Sequence, residues 1–188
     1  NACRPPGRDV RKRHATPRPD AGEGALRGHR HAPAIDYHAR VASYLVVGNP
    51  TAQSGKNEKR IELAVEHFKA AGVRCDFIAT QPEGKTIETV RYVLDHGGHD
   101  VVVAMGGDGT FREVASALLD SARRTEVALA MLPTGTANDQ GRSFGLSSDP
   151  DELEHNVRVA LARRETALDG GRLTSRDVSG NALFTGYF

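Results

Sequence analysis

Gly106-Gly107-Asp108-Gly109-Thr110 places three glycines within four positions around a single carboxylate. Glycine lets backbone approach a ligand with no Cβ in the way. A glycine turn that opens a helix aims several N–H groups at one point, an arrangement suited to phosphate. Asp108 would repel a bare phosphate, so its presence points to Mg²⁺, to a proton that must be taken, or to a hydroxyl that must be held. The competing explanation is a helix cap, for which Asp is equally suited.

Two further segments carry polar groups around glycine. In Leu132-Pro133-Thr134-Gly135-Thr136-Ala137-Asn138-Asp139, Pro133 fixes φ, Gly135 permits close approach, and the two threonines offer hydroxyls to a phosphate or a base. Asn138 and Asp139 can cap the short helix leading into Arg142, although a cap needs only one of them. Gly48-Asn49-Pro50-Thr51-Ala52-Gln53-Ser54-Gly55-Lys56 looks like a P-loop but fails the spacing. Six residues separate its glycines, and Asn57 follows the lysine where Ser or Thr is required. It remains a turn stiffened by Pro50, with Asn49, Ser54 and Lys56 as polar handles.

The elements that must position these loops alternate strand and helix. Strands are predicted at Ser43–Val47, Val73–Thr80, Val101–Met105 and Val127–Leu132, with later ones at Thr166–Leu173 and Ala182–Phe188. Helices are predicted at Lys56–Ala71, Thr86–His96, Thr110–Ser121 and Pro150–Arg163 from apolar residues at helical spacing, with Gly72 and Gly97-Gly98 as stop signals. The alternation argues for an α/β fold, three-layered, with a mostly parallel sheet covered on both faces. Ligands of such sheets bind beyond the carboxyl ends of the strands. All three unusual loops follow strands directly, and Thr80 ends another strand on the same edge.

Composition narrows the function classes. Net charge is +1, but residues 1–40 hold nine basic against four acidic residues and five of the nine prolines, whereas 41–188 hold sixteen basic against twenty acidic. The first segment is expected to be a disordered basic tail, able to bind an acidic surface or to resemble an Arg-rich targeting sequence. A nucleic-acid binder would rest on that tail alone and lacks interleaved aromatics. No apolar run approaches the roughly 20 residues that span a bilayer. Cys3 and Cys75 form neither a disulfide framework nor a metal spacing, so a reduced, cytoplasmic setting is expected.

Asn49-Pro50 with Ser54-Gly55, Gly106 to Thr110 with Glu113-Val114, and Leu132 to Asp139 with Arg142 occur in one order that resembles the diacylglycerol kinase catalytic domain family, which includes sphingosine, ceramide and bacterial lipid kinases. The glycine-aspartate loop alone is shared with NAD kinases and, loosely, phosphofructokinases; the third motif separates the lipid kinases from both. The resemblance spans about residues 43–188.

It implies an ATP-binding α/β domain over 41–165, like the N-terminal domain of NAD and diacylglycerol kinases. A β-rich C-terminal domain that helps form the lipid site would begin at 166–188. The implied activity is transfer of the γ-phosphate of ATP, with Mg²⁺, to a hydroxyl of diacylglycerol or a related lipid. Carried over, nucleotide contacts fall on Asn49, Thr80, Gly106, Gly107, Asp108, Gly109, Thr110, Phe111, Arg112 and Thr136. Asp108 is the implied catalytic group, organising Mg²⁺ or taking the lipid proton, and Glu113, Asn138 and Asp139 support it. A lipid acceptor implies peripheral membrane contact and leaves room for a homodimer. Two departures stand out: Arg112 replaces a frequent Asn, and Gln140-Gly141 replaces an apolar residue and alanine, which should weaken the short helix. If the sequence is a fragment, the rest of the second domain lies downstream; if it is whole, the lipid site is missing. The alternatives are a nucleotide-binding fragment without turnover and an NAD kinase-like small-molecule kinase.

Overall fold

Strands β1 (Ser43–Gly48) and β3 (Val101–Gly106) are buried at every residue, as expected of apolar runs covered on both faces. The structure is a computed structural model that describes residues 41–179 and the backbone of 182–187. The expectations for the basic tail at 1–40, for Cys3 and for Phe188 fall outside those residues. With β2 (Arg74–Ala79) and β4 (Ala128–Pro133), the two central strands form a parallel sheet of order β2-β1-β3-β4.

Alternation divides the side chains into two cores. Tyr44, Val46, Val103, Met105 and Leu132 pack against α1 (Lys56–Ala70) and α5 (Leu153–Leu161) through Ile61, Phe68, Leu153 and Val157. Leu45, Val47, Val102 and Ala104 face α2 (Lys85–His96) and α3 (Asp108–Leu119) through Val90, Leu94, Val114 and Leu118. The result is three layers, as the sequence predicts. Tyr44 and Phe68 are both fully buried, with ring centroids 4.8 Å apart, and each large apolar side chain so buried contributes about 1.5–3 kcal/mol. Cys75 belongs to the first core, and burial pushes its thiol up to about 11. It is therefore a protonated apolar filler and not a nucleophile.

The strand order reverses direction between β1 and β3. The chain leaves β1 toward the α1 face and leaves β3 toward the α3 face, which opens a crevice at the carboxyl edge. The four strands end level there, with Gly48 opposite both Ala79 and Met105, and Gly106 opposite Pro133. Pairing continues one residue further, where Thr80 N–H donates to the Gly48 carbonyl and Thr134 N–H to that of Gly106, both at 2.9 Å. Thr80 is thereby fixed beside the first loop and Thr134 beside the second.

Four boundaries differ from expectation in ways that matter, the first being α3, which starts at Asp108 and not at Thr110. The fourth strand runs one residue later, to Pro133, which an edge strand tolerates because its missing N–H faces away from the ladder. The fifth, β5, covers Arg172–Arg176 and pairs antiparallel with β6 (Ala182–Tyr187). Asp169 and Gly171 therefore precede β5. All five β5 residues are exposed, so no buried face imposes the alternation from which a register is predicted. The helix expected over Pro150–Arg163 is a 3₁₀ turn at Pro150–Glu152 followed by α5.

Candidate functional site

The first loop is wound into an unusual turn. Asn49 Oδ1 accepts from Thr51 N–H at 3.0 Å and Thr51 Oγ1 at 2.8 Å. Gln53 and Ser54 then adopt left-handed backbone, with φ of 54° and 59°, ahead of Gly55 at 84°. For non-glycine residues this conformation costs roughly 1–2 kcal/mol each. From below, buried Asn57 donates through Nδ2 to the Asn49 carbonyl at 2.7 Å, while its Oδ1 is buried without a partner. Gln53 Nε2 donates to the Thr134 carbonyl, which ties the first loop to the third.

The glycines of the other two loops divide by what a Cβ would meet. At Gly106 it would lie 2.4 Å from Thr110 Oγ1, and at Gly135 it would lie 2.6 Å from Gly107 Cα. The fold itself demands glycine at both. At Gly107 the nearest atoms are 3.4 and 3.8 Å away, an ordinary contact, and at Gly109 there is nothing within 4 Å. Neither has a left-handed φ, and Gly109 lies in the first turn of α3, where alanine would be favoured by about 1 kcal/mol. Packing and backbone conformation leave the glycine at 107 and 109 unexplained; close approach by a ligand explains both.

The N-terminus of α3 has no side-chain cap, and its first intrahelical bond is Phe111 N–H to the Gly107 carbonyl. The N–H groups before that bond have no intrahelical acceptor. Asp108, the first helical residue, reaches across to α4 (Asp139–Ser143): its Oδ2 accepts from Asp139 N–H at 3.2 Å and its Oδ1 from Gln140 N–H at 3.1 Å. Asp108 thus caps a helix, but the one 31 residues further along the chain. This corrects the expectation that Asn138 or Asp139 caps it. Asn138 has left-handed backbone with φ 52°, and its amide turns back on Gly135, accepting from Gly135 N–H at 2.9 Å and donating to the Gly135 carbonyl. Asp139 is exposed and faces Arg142 at 3.5 Å. Gly141 is buried where α4 lies on the end of β4, and a Cβ would be 3.0 Å from Pro133 Cβ. The small residue that weakens α4 in isolation gives it a close fit against Pro133.

A cleft of about 470 Å³ opens between the first loop and α3, lined by Asn49, Thr51, Thr80, Gln81, Pro82, Gly109, Thr110 and Glu113. Five of the residues singled out from sequence, Asn49, Thr80, Gly109, Thr110 and Glu113, meet there. Gly106 and Gly107 join the cleft to a second flank where Asp108, Asn138 and Asp139 gather. Three more of the expected nucleotide contacts do not line the cleft. Phe111 packs against the α2–α3 core, its ring 6.1 Å from that of Phe144; Arg112 and Thr136 are exposed.

Sequence reasoning missed Thr51, Gln81, Pro82 and the role of Gln53. The Asn-Pro-Thr run signals the Asn49–Thr51 turn, and Pro82 just past a strand marks a cleft wall. Nothing local signals Gln53, whose partner is 81 residues away. No group of three or more His, Cys, Asp or Glu able to hold a metal occurs among the described residues, and no helix among them is long and apolar enough to cross a membrane.

Residues 43–173 match the diacylglycerol kinase catalytic domain. The chain is 32% identical over 122 residues to the Klebsiella pneumoniae (strain 342) protein named "Probable lipid kinase YegS-like", covering 65% of this chain and 39% of that protein. It is 32% identical over 134 residues to the diacylglycerol kinase of Staphylococcus aureus (strain bovine RF122 / ET3-1), covering 70% and 40%. The crystal structure of a diacylglycerol kinase from Bacillus anthracis str. Sterne superposes with a TM-score of 0.54 at 22% identity, covering 66% of this chain and 43% of that one, a likeness of fold. The chain spans about 40% of the length of the two curated relatives.

Proposed function

This chain belongs to the diacylglycerol kinase catalytic domain family, and from that premise we propose that it is the ATP-binding part of a lipid kinase that transfers the γ-phosphate of ATP to a lipid hydroxyl. The observation that carries the reading is the pair Gly107 and Gly109, glycines that packing and backbone geometry leave unexplained. Absent Cβ atoms at both positions leave room for phosphate against the uncapped start of α3, whose N–H groups supply positive potential.

The cleft takes the rest of the nucleotide, with Asn49 and the neighbouring Thr80 on one side and the half-buried Glu113 on α3. Thr136, on the loop between β4 and α4, and Arg112, in the first half of α3, are both exposed and reach the phosphates only through their side chains, and Phe111 contributes through its packing. In the transfer itself, a lipid hydroxyl oxygen bonds to the γ-phosphorus, the bond from that phosphorus to the bridging oxygen breaks, and ADP departs. Asp108 receives the hydroxyl proton. Two amide bonds from α4 fix its carboxylate, so it is oriented before the acceptor arrives. Asn138 and Asp139 support that flank.

Mg²⁺ fits as an ion brought in on the nucleotide. One carboxylate with substrate phosphates and waters is an ordinary donor set for it, and no denser cluster of ligating side chains exists among the described residues. Held by Asp108, in place of the proton-accepting role, it would supply charge neutralisation on the phosphates. Residues 166–188 are the start of a second, β-rich domain for the lipid. ATP as donor and a lipid as acceptor together support a cytoplasmic protein in peripheral contact with a membrane surface.

The test is calorimetric titration of the chain with ATP and Mg²⁺, alongside a radiolabelled-ATP transfer assay on mixed lipid micelles. Saturable binding with label in lipid is expected for the kinase. Binding without transfer is the second reading, a nucleotide-binding part that needs the remainder of its relatives' length to turn over. Absence of binding removes both. Gly109→Ala separates ligand approach from folding: the variant should gain about 1 kcal/mol of stability in denaturant while losing ATP affinity. A variant that gains stability and keeps full affinity would leave Gly109 without a role at the phosphates.

A further inference from the structure

One peptide unit, Thr134–Gly135, is held from both sides. Its carbonyl accepts from Gln53 Nε2, and its N–H donates to Asn138 Oδ1 at 2.9 Å. Gly135 in turn lies against Gly107, so close that a Cβ on it would stand 2.6 Å from Gly107 Cα and 3.0 Å from Gly107 N. A shift of this peptide toward Gly107 is therefore met by the Gly107 backbone. Asn138 comes from the same loop as the peptide it holds. Gln53 comes from another, 81 residues earlier, and is the only one of the two that links the first loop to the other pair.

The backbone around Gln53 is the second, independent observation. Gln53 and Ser54 are exposed, so no core packing compels their left-handed conformation, and neither is glycine. The turn closes its own backbone bonds, Gly55 N–H to the Thr51 carbonyl and Lys56 N–H to those of Ala52 and Gln53, and its one side-chain link to another loop is the Gln53 amide on the Thr134 carbonyl. Persistent backbone strain of this kind marks places where surrounding contacts over-determine the chain.

We infer that Gln53 is a positioning residue of the phosphate cradle: through the Thr134–Gly135 peptide it sets the placement of Gly107 and so couples the first loop to nucleotide binding. The inference rests on the reading of the site as an ATP site. It is not a catalytic residue, since it reaches the cradle only through backbone.

Gln53→Gly and Gln53→Asn test it. Glycine is at home at φ 54° and removes only the strut; asparagine tolerates that backbone but is one methylene short of the carbonyl. Both variants should keep or raise the denaturation midpoint, exchange the Gly135 amide faster in the ligand-free chain, and bind ATP with Mg²⁺ about tenfold more weakly, the effect of one lost hydrogen bond. Unchanged affinity in both variants overturns the inference. So does an affinity loss matched by a loss of stability, which would make Gln53 a general stabiliser. A parent chain that does not bind ATP is a failure of the function reading and takes this one with it. In that case the exchange rate at Gly135 still reports whether the strut exists. A parent that binds beside variants that bind equally well is a failure of Gln53 alone.

Discussion

Asp108→Asn is expected to lower phosphoryl transfer by roughly 10²–10⁴-fold, the span of a lost general base, while ATP affinity stays close to that of the parent. The structure adds a second expected signature. Asp108 receives two amide bonds from the start of α4, and an asparagine can accept only one while presenting its own NH₂ to the other. The Asp139 or Gln140 amide should then exchange faster, and stability should fall by about 1 kcal/mol. A variant that transfers at the parental rate removes Asp108 from the chemistry. One that loses transfer and affinity together, with α4 unfolded, shows that the carboxylate acts through α4 and not on the acceptor. The same assay with Asp139→Asn serves as contrast: Asp139 is exposed and paired only with Arg142 at 3.5 Å, and its loss should matter far less.

Gly107→Val should abolish most ATP binding, with affinity falling roughly a hundredfold, in a chain that still folds. The backbone at 107 is extended, with φ −93° and ψ −169°, a conformation β-branched residues favour. The first added carbon meets Gly135 Cα at 3.4 Å and Asn138 Oδ1 at 3.8 Å, so the protein has room for that carbon, and Gly107→Ala is the milder companion variant. What lacks room is a phosphate approaching the same backbone. Calorimetry together with a thermal melt separates the two, and a melt like the parent's combined with unchanged affinity would refute the cradle. Gly135→Val is the useful opposite. Its Cβ would collide with Gly107 at 2.6 Å, and the expected result is a chain that fails to fold stably, whatever its ligand.

The layers of this fold were legible because burial writes itself into sequence. Val101 to Met105 could only be a strand covered on both sides, and Val90, Leu94, Val114 and Leu118 fall at helical spacing because one face of each helix meets the sheet. β5 was misplaced because none of its residues is buried, leaving no alternation to count. At the site, the glycine loops announced a close approach, and the strand ends placed Asn49, Thr80 and Thr110 on one edge. The cap on α4 was not legible. Short-range rules assign it to Asn138 or Asp139, but the carboxylate that takes those amides belongs to Asp108, and only the tertiary structure brings the two together. Gln53 is the same case at greater range: a residue whose type is unremarkable in its own segment acquires meaning from a carbonyl 81 positions away.

The order β2-β1-β3-β4 has a consequence for how the protein is made. β1, one of the two central strands, leaves the ribosome before either of its neighbours. Its pairing with β2 closes first, but its other edge waits for Val101 to Gly106, roughly 1–5 s after β2 is complete at about 5–20 residues per second. Through that interval Tyr44 to Val47, apolar on both faces, have half their final cover, so the nascent chain carries its most adhesive segment at its least protected moment. Translation speed between α1 and β3 therefore bears on the yield of folded protein, independently of how stable the finished sheet is.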